Sequence, residues 1–349
     1  MTIRYRRAIH RTACLCFTIA SLITSGAVAQ DVSSFTRTTN PLTQSQQGTL
    51  QQFVAGGIRG LESDSVEAVV DARQRMIEPL TKTGTSPVFR DAFGKLFIKE
   101  INGISTEKPL PTFNYANMYQ VLAFVRTGES NEFLASCLEP KINSDSTTSQ
   151  DQGRKLSAAS MLALSIKTTN PSVIRPRQFN AIIRSIFNGA DSASSWALLQ
   201  REFESLDSIS SNTGVKDDIR KSAVENQMKI IQGTLAKIAK GQDLELVQAI
   251  SPMILKLRSQ YIRLDGAIRK TFNSEAKDSL AAVLNTGVSS WDKLHSNDRL
   301  TAIYGNAVEQ ATVLMRLLKG GSAETSANPS EAWRSGDKTA YAQAIKSWI

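Results

Sequence analysis

The 349 residues contain only two histidines and three cysteines, so few nucleophilic or metal-binding arrangements are open to them. His10, Cys14 and Cys16 all fall in the first thirty positions, leaving His295 and Cys137 for the rest of the chain. A serine, histidine and aspartate relay needs an imidazole beside the hydroxyl, and His295 would have to supply it. It lies in Trp291-Asp292-Lys293-Leu294-His295-Ser296-Asn297-Asp298, a polar stretch without a glycine-flanked serine, and reads as an exposed or capping histidine. Zinc sites draw on several cysteines or histidines and calcium loops on closely spaced aspartates, and neither pattern occurs. Gly56-Gly57-Ile58-Arg59-Gly60 lacks the lysine and the preceding strand of a phosphate cradle, and reads as a helix end. Cys137, four residues after Phe133, reads as a buried thiol on a helical apolar face. No catalytic residue, cofactor or metal is expected.

Carboxylates and charge patterning remain. Glu62-Ser63, Glu129-Ser130 and Glu204-Ser205 each place a glutamate before a serine, as lytic transglycosylases do at a helix end, but none is followed by that family's Gly-Leu-Met-Gln type of segment. Between Lys216 and Lys270 there are eleven basic and six acidic residues. Lys256, Arg258, Arg263, Arg269 and Lys270 form a candidate basic surface there, suited to an acidic protein, an anionic envelope polymer or a phospholipid surface. Phe113, Tyr115 and Tyr119, with Phe124, follow Pro109-Leu110-Pro111 and form a candidate aromatic surface for a peptide or sugar, set against the simpler reading that they are core.

Helices must position all of these. Apolar residues recur every three or four positions from residue 42 onward, with no alternating run that would mark a strand, so the chain reads as all-α. Ser86-Pro87, Asn170-Pro171 and Ser251-Pro252 supply starts. Asn188-Gly189, Lys240-Gly241, Asn285-Thr286-Gly287 and Lys319-Gly320-Gly321 supply stops. Helices are expected over 43–59, 64–81, 87–102, 112–126, 130–139, 153–168, 176–188, 192–209, 215–240, 243–250, 252–272, 274–285, 297–319 and 337–347. Val247, Ile250, Ile254, Leu257, Tyr261, Leu264 and Ile268 would form one seam, which a homo-oligomer would place between subunits. The polar stretches 143–152, 208–214 and 320–330 read as connections. The organisation expected is a flexible segment over 30–41, an N-terminal helical region over 42–170, a C-terminal one over 171–319 carrying the basic hairpin 216–270, and a linker with a short terminal helix over 320–349.

Val66-Glu67-Ala68-Val69-Val70-Asp71-Ala72-Arg73 running to Leu80, Asn117 to Val125, and Arg154 to Ile166 resemble the second helices of HEAT or armadillo repeats. Ala72, Val121 and Ala159 are spaced 49 and then 38 residues apart, where such repeats recur about every 40 to 47. The resemblance implies helical hairpins stacked as an irregular α-solenoid; a helical bundle is the alternative. Ser194-Ser195-Trp196 and Ser289-Ser290-Trp291 form a second echo, each read as a serine cap with a tryptophan in the next first turn.

The first residues have the form of a secretory signal: Arg4, Arg6, Arg7 and Arg11, an apolar stretch from Ala13 to Ile23, then Ala27-Val28-Ala29. Cleavage after Ala29 would leave 320 residues, and losing the four arginines lowers the formal charge from +9 to +5. That mild surplus makes nucleic acid an improbable partner, and no later segment is apolar enough to span a bilayer. The expectation is an exported, periplasmic or extracellular, non-catalytic interaction or scaffold protein; a binder of envelope polymer or a glycan-acting helical enzyme is the alternative.

Overall fold

A computed structural model describes residues 31–104, 110–140, 149–320 and 327–349. The signal-peptide reading of residues 1–29 and Pro109 lie outside them. Among the described residues there are fifteen α-helices and no strand, as the periodicity predicts. They are α1 (Gln44–Leu61), α2 (Val66–Thr81), α3 (Pro87–Asn102), α4 (Thr112–Val125), α5 (Gly128–Ser136), α6 (Ser149–Thr168), α7 (Pro176–Ser192) and α8 (Trp196–Ser210). The chain continues with α9 (Asp217–Lys240), α10 (Val247–Arg263), α11 (Gly266–Ser289), α12 (Trp291–Leu294), α13 (Asp298–Leu318), α14 (Pro329–Arg334) and α15 (Lys338–Lys346). None is long and apolar enough to cross a membrane.

Many helices start and stop for local reasons. The Ser86 hydroxyl accepts from the Phe89 N–H at 3.0 Å, with Pro87 in the first turn, where its missing N–H costs no helical bond. Thr43 and Gln46 complete a capping box at the start of α1. Gly241 and Gly320 follow α9 and α13 with φ of +75° and +74°, the left-handed geometry that glycine adopts without strain.

Elsewhere packing overrides the local signal. Asn188-Gly189 and Asn285-Thr286-Gly287 do not end helices: α7 runs on to Ser192 and α11 to Ser289. These glycines admit a neighbour instead. A methyl group on Gly189 would lie 2.5 Å from Glu202 Oε1, and one on Gly287 would lie 2.6 Å from the Tyr341 hydroxyl. Ser251-Pro252 does not start a helix either, because α10 begins at Val247 and carries Pro252 inside it. Losing one helical hydrogen bond there is offset by the burial of Val247, Ala249 and Ile250 upstream. Asn170-Pro171 opens a short 3-10 turn over Pro171–Val173, before α7 begins at Pro176. The expected 252–272 helix breaks after Arg263, where Asp265 and Gly266 start α11, so Ile268 belongs to a different helix from Val247, Ile254 and Leu257. Helix α14, which starts on the Asn328 cap and Pro329, lies in a stretch that reads as polar connection.

The helices pack by parity. Helix α1 contacts α3, α3 contacts α5, and the odd series continues through α7, α9 and α11, with α15 against α11. The even series runs from α2 through α4, α6, α8 and α10 to α13, and the two series meet along pairs such as α1 with α2, α5 with α6 and α8 with α9. Ala72, Val121 and Ala159 are buried on α2, α4 and α6, three successive members of the even series. Side chains about 46 residues apart therefore meet repeatedly: Ser185 donates to Glu139, Ser205 to the Ala159 carbonyl and Lys237 to the Asp191 carbonyl. The apolar core runs continuously between the two series, from Phe89, Phe93 and Phe97 to Val308, Ala311 and Leu314.

The C-terminal end is closed by aromatic residues. Trp333 and Tyr341 bring α14 and α15 onto Trp291 and Tyr304, with ring centroids 4.9 to 5.6 Å apart. Their polar tips are satisfied: Tyr304 donates to the Val283 carbonyl, Tyr341 to Leu284 and Trp333 to Thr301.

Candidate functional site

Parity packing brings successive connections to one edge. The turn before α3, the two residues joining α4 to α5, and the segment from α6 to α7 together enclose a cleft of about 400 Å³. Two arginines form its inner wall. Arg90 on α3 is half-buried and donates to the Leu80 carbonyl at the end of α2 and to the Phe124 and Val125 carbonyls at the end of α4. It thus ties two helix C-termini together through carbonyls that have no helical partner. Burial lowers the pKa of this guanidinium, and the nearby charge of Arg126 lowers it further.

Arg126 directly follows α4, with φ of +58° and ψ of +48°. Its Cζ lies 5.8 Å from the centre of the Phe124 ring. Its Nε is buried and has no hydrogen-bond partner among the described residues.

Two carboxylates share the cleft, and each is engaged by an exposed cation. Asp91 binds Lys95 at 2.7 Å, and Glu129 binds Arg175 at 3.0 Å. Thr85, Thr127 and Asn170 add polar groups, and Pro87 and Val173 an apolar edge. Asp91 and Glu129 are already paired, and among the described residues neither Arg90 nor Arg126 forms an ion pair with a carboxylate. This arrangement suits an oxyanion.

The structure does not gather the predicted basic residues into one patch. Lys256 and Arg263 both reach Asp207 on α8, at 3.4 and 3.2 Å. Asp207 is almost fully buried and also accepts from Ser211 at 3.0 Å. Arg258 turns the other way and donates to Gln310 on α13. Arg269 lies over the Tyr261 ring, its Cζ 5.4 Å from the centroid, and Lys270 is exposed on α11. The basic hairpin thus spans α9, α10 and the start of α11, and two of its cations are counter-ions to a carboxylate from the adjoining helix.

The predicted aromatic residues divide in a similar way. Phe113 is 41% exposed and Tyr119 only 5%. Tyr115, 6.1 Å from Tyr119 between ring centres, is covered by the Arg154 guanidinium at 3.9 Å. The echoed tryptophans also differ, Trp196 being 39% exposed and Trp291 buried. Neither Ser195 nor Ser290 makes a side-chain cap.

His295 caps the C-terminus of α12, its N–H donating to the Trp291 carbonyl, and is half-buried rather than exposed. Its ring stacks on Trp291 at 3.8 Å and lies 4.4 Å from Trp333, with Nδ1 3.1 Å from the Trp291 carbonyl. Trp333, which covers it, comes from a helix that is distant in sequence. Cys137 is half-buried rather than buried, and its thiol faces the Tyr119 hydroxyl, whose pKa is pushed up mainly by burial. Of the Glu-Ser pairs, Ser130 belongs to the capping box of α5 and Ser205 donates to backbone carbonyls of Arg201 and Ala159. Both hydroxyls are structural.

Sequence reasoning missed Arg90, Arg126 and Glu202. The arginines are isolated in sequence and come together through the packing of α3 against α4 and α5. The one local signal was an arginine, without glycine, directly after the apolar run that ends at Val125. Glu202 is fully buried on α8, with both carboxylate oxygens unpartnered among the described residues. A shallow groove of about 870 Å³ between α11 and α15 is lined by Ala282, Val288, Ile345 and Ile349 with Asn285 and Lys346. The chain matches no known family model, and no curated protein is significantly similar to it.

Proposed function

We propose that the chain is an exported, non-catalytic helical interaction module that engages its partner at the cleft between α3, α5 and the segment leading into α7. The observation that carries this reading is the convergence of three connections on one polar recess containing unpaired guanidinium charge. Helical stacks of this kind present their connections side by side along an edge, so binding residues far apart in sequence can form one surface. Export is supported by Arg4, Arg6, Arg7 and Arg11, the apolar stretch that follows, and Ala27-Val28-Ala29. Binding to an anionic polymer through the α10 surface is the weaker reading, since Lys256 and Arg263 are occupied by Asp207.

The test is site-specific photocrosslinking in the native host. A photoreactive residue at Val173, which lines the cleft and is 40% exposed, should give a discrete crosslinked protein, whereas one at Leu255 on α10 should not. Products from Leu255 alone would move the interface to the basic hairpin. N-terminal sequencing of the protein from the same cells should begin at Gln30, and an intact Met1 in all of it would end the export reading.

A further inference from the structure

Arg126 stands where glycine commonly closes a helix. A non-glycine residue is strained in the left-handed region, so glycine would finish α4 at lower cost, and what arginine adds is a guanidinium in the cleft. That guanidinium forms no ion pair among the described residues. Its Nε is buried without a partner among the described residues. Arg90, its positively charged neighbour, is committed to the carbonyls of Leu80, Phe124 and Val125. Asp91 and Glu129 are committed to Lys95 and Arg175. The recess is large enough for one or two residues of an extended chain, at the lower end of ordinary ligand sites.

We propose that Arg126, backed by Arg90, binds a side-chain carboxylate of the partner, so that the cleft is a receptor for an acidic residue within an extended peptide. A carboxylate fits better than a phosphate because it is planar, matches the guanidinium fork and carries a single charge. A dianion would also lie against Asp91 and Glu129 on the outer wall. The proposal rests on the cleft being the docking site and names what enters it.

The full chain without its signal would be titrated at fixed ionic strength with three probes: acetyl-Gly-Glu-Gly-amide, the corresponding glutamine peptide, and inorganic phosphate. The readout is the Nε–Hε resonance of Arg126 in 15N NMR. The glutamate peptide is expected to shift that resonance saturably, and the glutamine peptide to bind at least tenfold more weakly. Arg126→Gly should also lose at least tenfold in affinity for the glutamate peptide. Its urea midpoint should stay at or above that of the parent, which separates lost binding from lost fold. Equal binding of the two peptides, undiminished binding by Arg126→Gly, or no binding of the glutamate peptide would overturn the assignment. Tighter binding of phosphate than of the glutamate peptide would also overturn it, in favour of a phosphate site. A crosslink at Val173 without carboxylate binding would leave a docking surface of other chemistry; carboxylate binding without a crosslink would leave a small-acid site and remove the protein partner.

Discussion

Replacing Glu202 with glutamine should make the protein more stable at neutral and alkaline pH and leave it nearly unchanged in acid. Glu202 has no exposed surface, and neither of its oxygens has a hydrogen-bond partner among the described residues. Helix α7 presses on it through Gly189. The cations nearest to it are Lys155 on α6 and Lys237 on α9. Lys155 forms its ion pair with Asp151 at 3.6 Å, and Lys237 donates to the Asp191 and Ala193 carbonyls. Burial therefore raises the pKa of Glu202 well above the ordinary carboxylate value of 4.5, against a smaller opposing pull from the two lysines. A raised folded-state pKa means that the native state holds this proton longer than the unfolded state does. Stability from this group is complete below about pH 4.5 and declines as pH rises from there through the folded-state pKa. Glutamine has nearly the same shape and carries no proton to lose. Each tenfold difference in proton affinity is worth about 1.4 kcal/mol, so Glu202→Gln should match the parent near pH 4 and exceed it by a margin that grows as pH rises to 8. Urea unfolding followed by far-ultraviolet circular dichroism at pH 4, 6 and 8 would measure this. A variant less stable than the parent at pH 8, or a difference that does not vary with pH, would refute the reasoning by showing an ionised Glu202 stabilised by Lys155 or Lys237.

Asp207→Ala should destabilise the fold by about 1–3 kcal/mol, the cost of leaving Ser211 and two cations without their buried acceptor. The same change should strengthen retention on anionic vesicles by freeing Lys256 and Arg263, and unchanged retention would show that these cations do not bind membrane in either state. Gly287→Ala puts a methyl group 2.6 Å from the Tyr341 hydroxyl and should loosen α15 at a cost of about 1–3 kcal/mol, visible as a red shift in tryptophan emission from Trp333 and Trp348. Trp333→Ala removes the ring that Trp291, His295, Tyr304 and Tyr341 all contact and should cost about 3–5 kcal/mol in chemical denaturation.

Features decided by near neighbours in sequence were readable before the structure. Ser86 caps α3 because its hydroxyl reaches an N–H three residues away, and Gly241 ends α9 because it alone tolerates the turn there. Where a residue's role comes from another helix, local reading fails. Gly189 looks like a stop, yet it is a small surface that lets Glu202 approach. The spacing of Val247 through Ile268 is continuous enough to suggest one long helix, while Asp265 and Gly266 break it. His295 stacks on Trp291 four residues before it, which the segment shows, and is covered as well by Trp333, 38 positions later, which it does not. The parity of helix packing was only partly visible, because the segments around Ala72, Val121 and Ala159 are alike while the others share no such pattern.

Charge shows the same division between counting and placement. The stretch 216–270 carries a surplus of five, equal to that of the whole chain after the presumed signal is removed, which draws attention to Lys256 and Arg263. Their counter-ion, Asp207, lies about 50 residues away in sequence, on the adjoining even helix. A stack with a stride of about 46 residues places the partners of such inter-helix ion pairs far apart in sequence, so a local balance of charge does not report which cations are paired across helices. The opposite holds at the cleft. Arg90 and Arg126 contribute nothing unusual to their own segments, but the packing sets them side by side and leaves Asp91 and Glu129 to other partners. Two guanidiniums therefore stand side by side at an edge where connections meet, a placement that the charge of their own segments does not report.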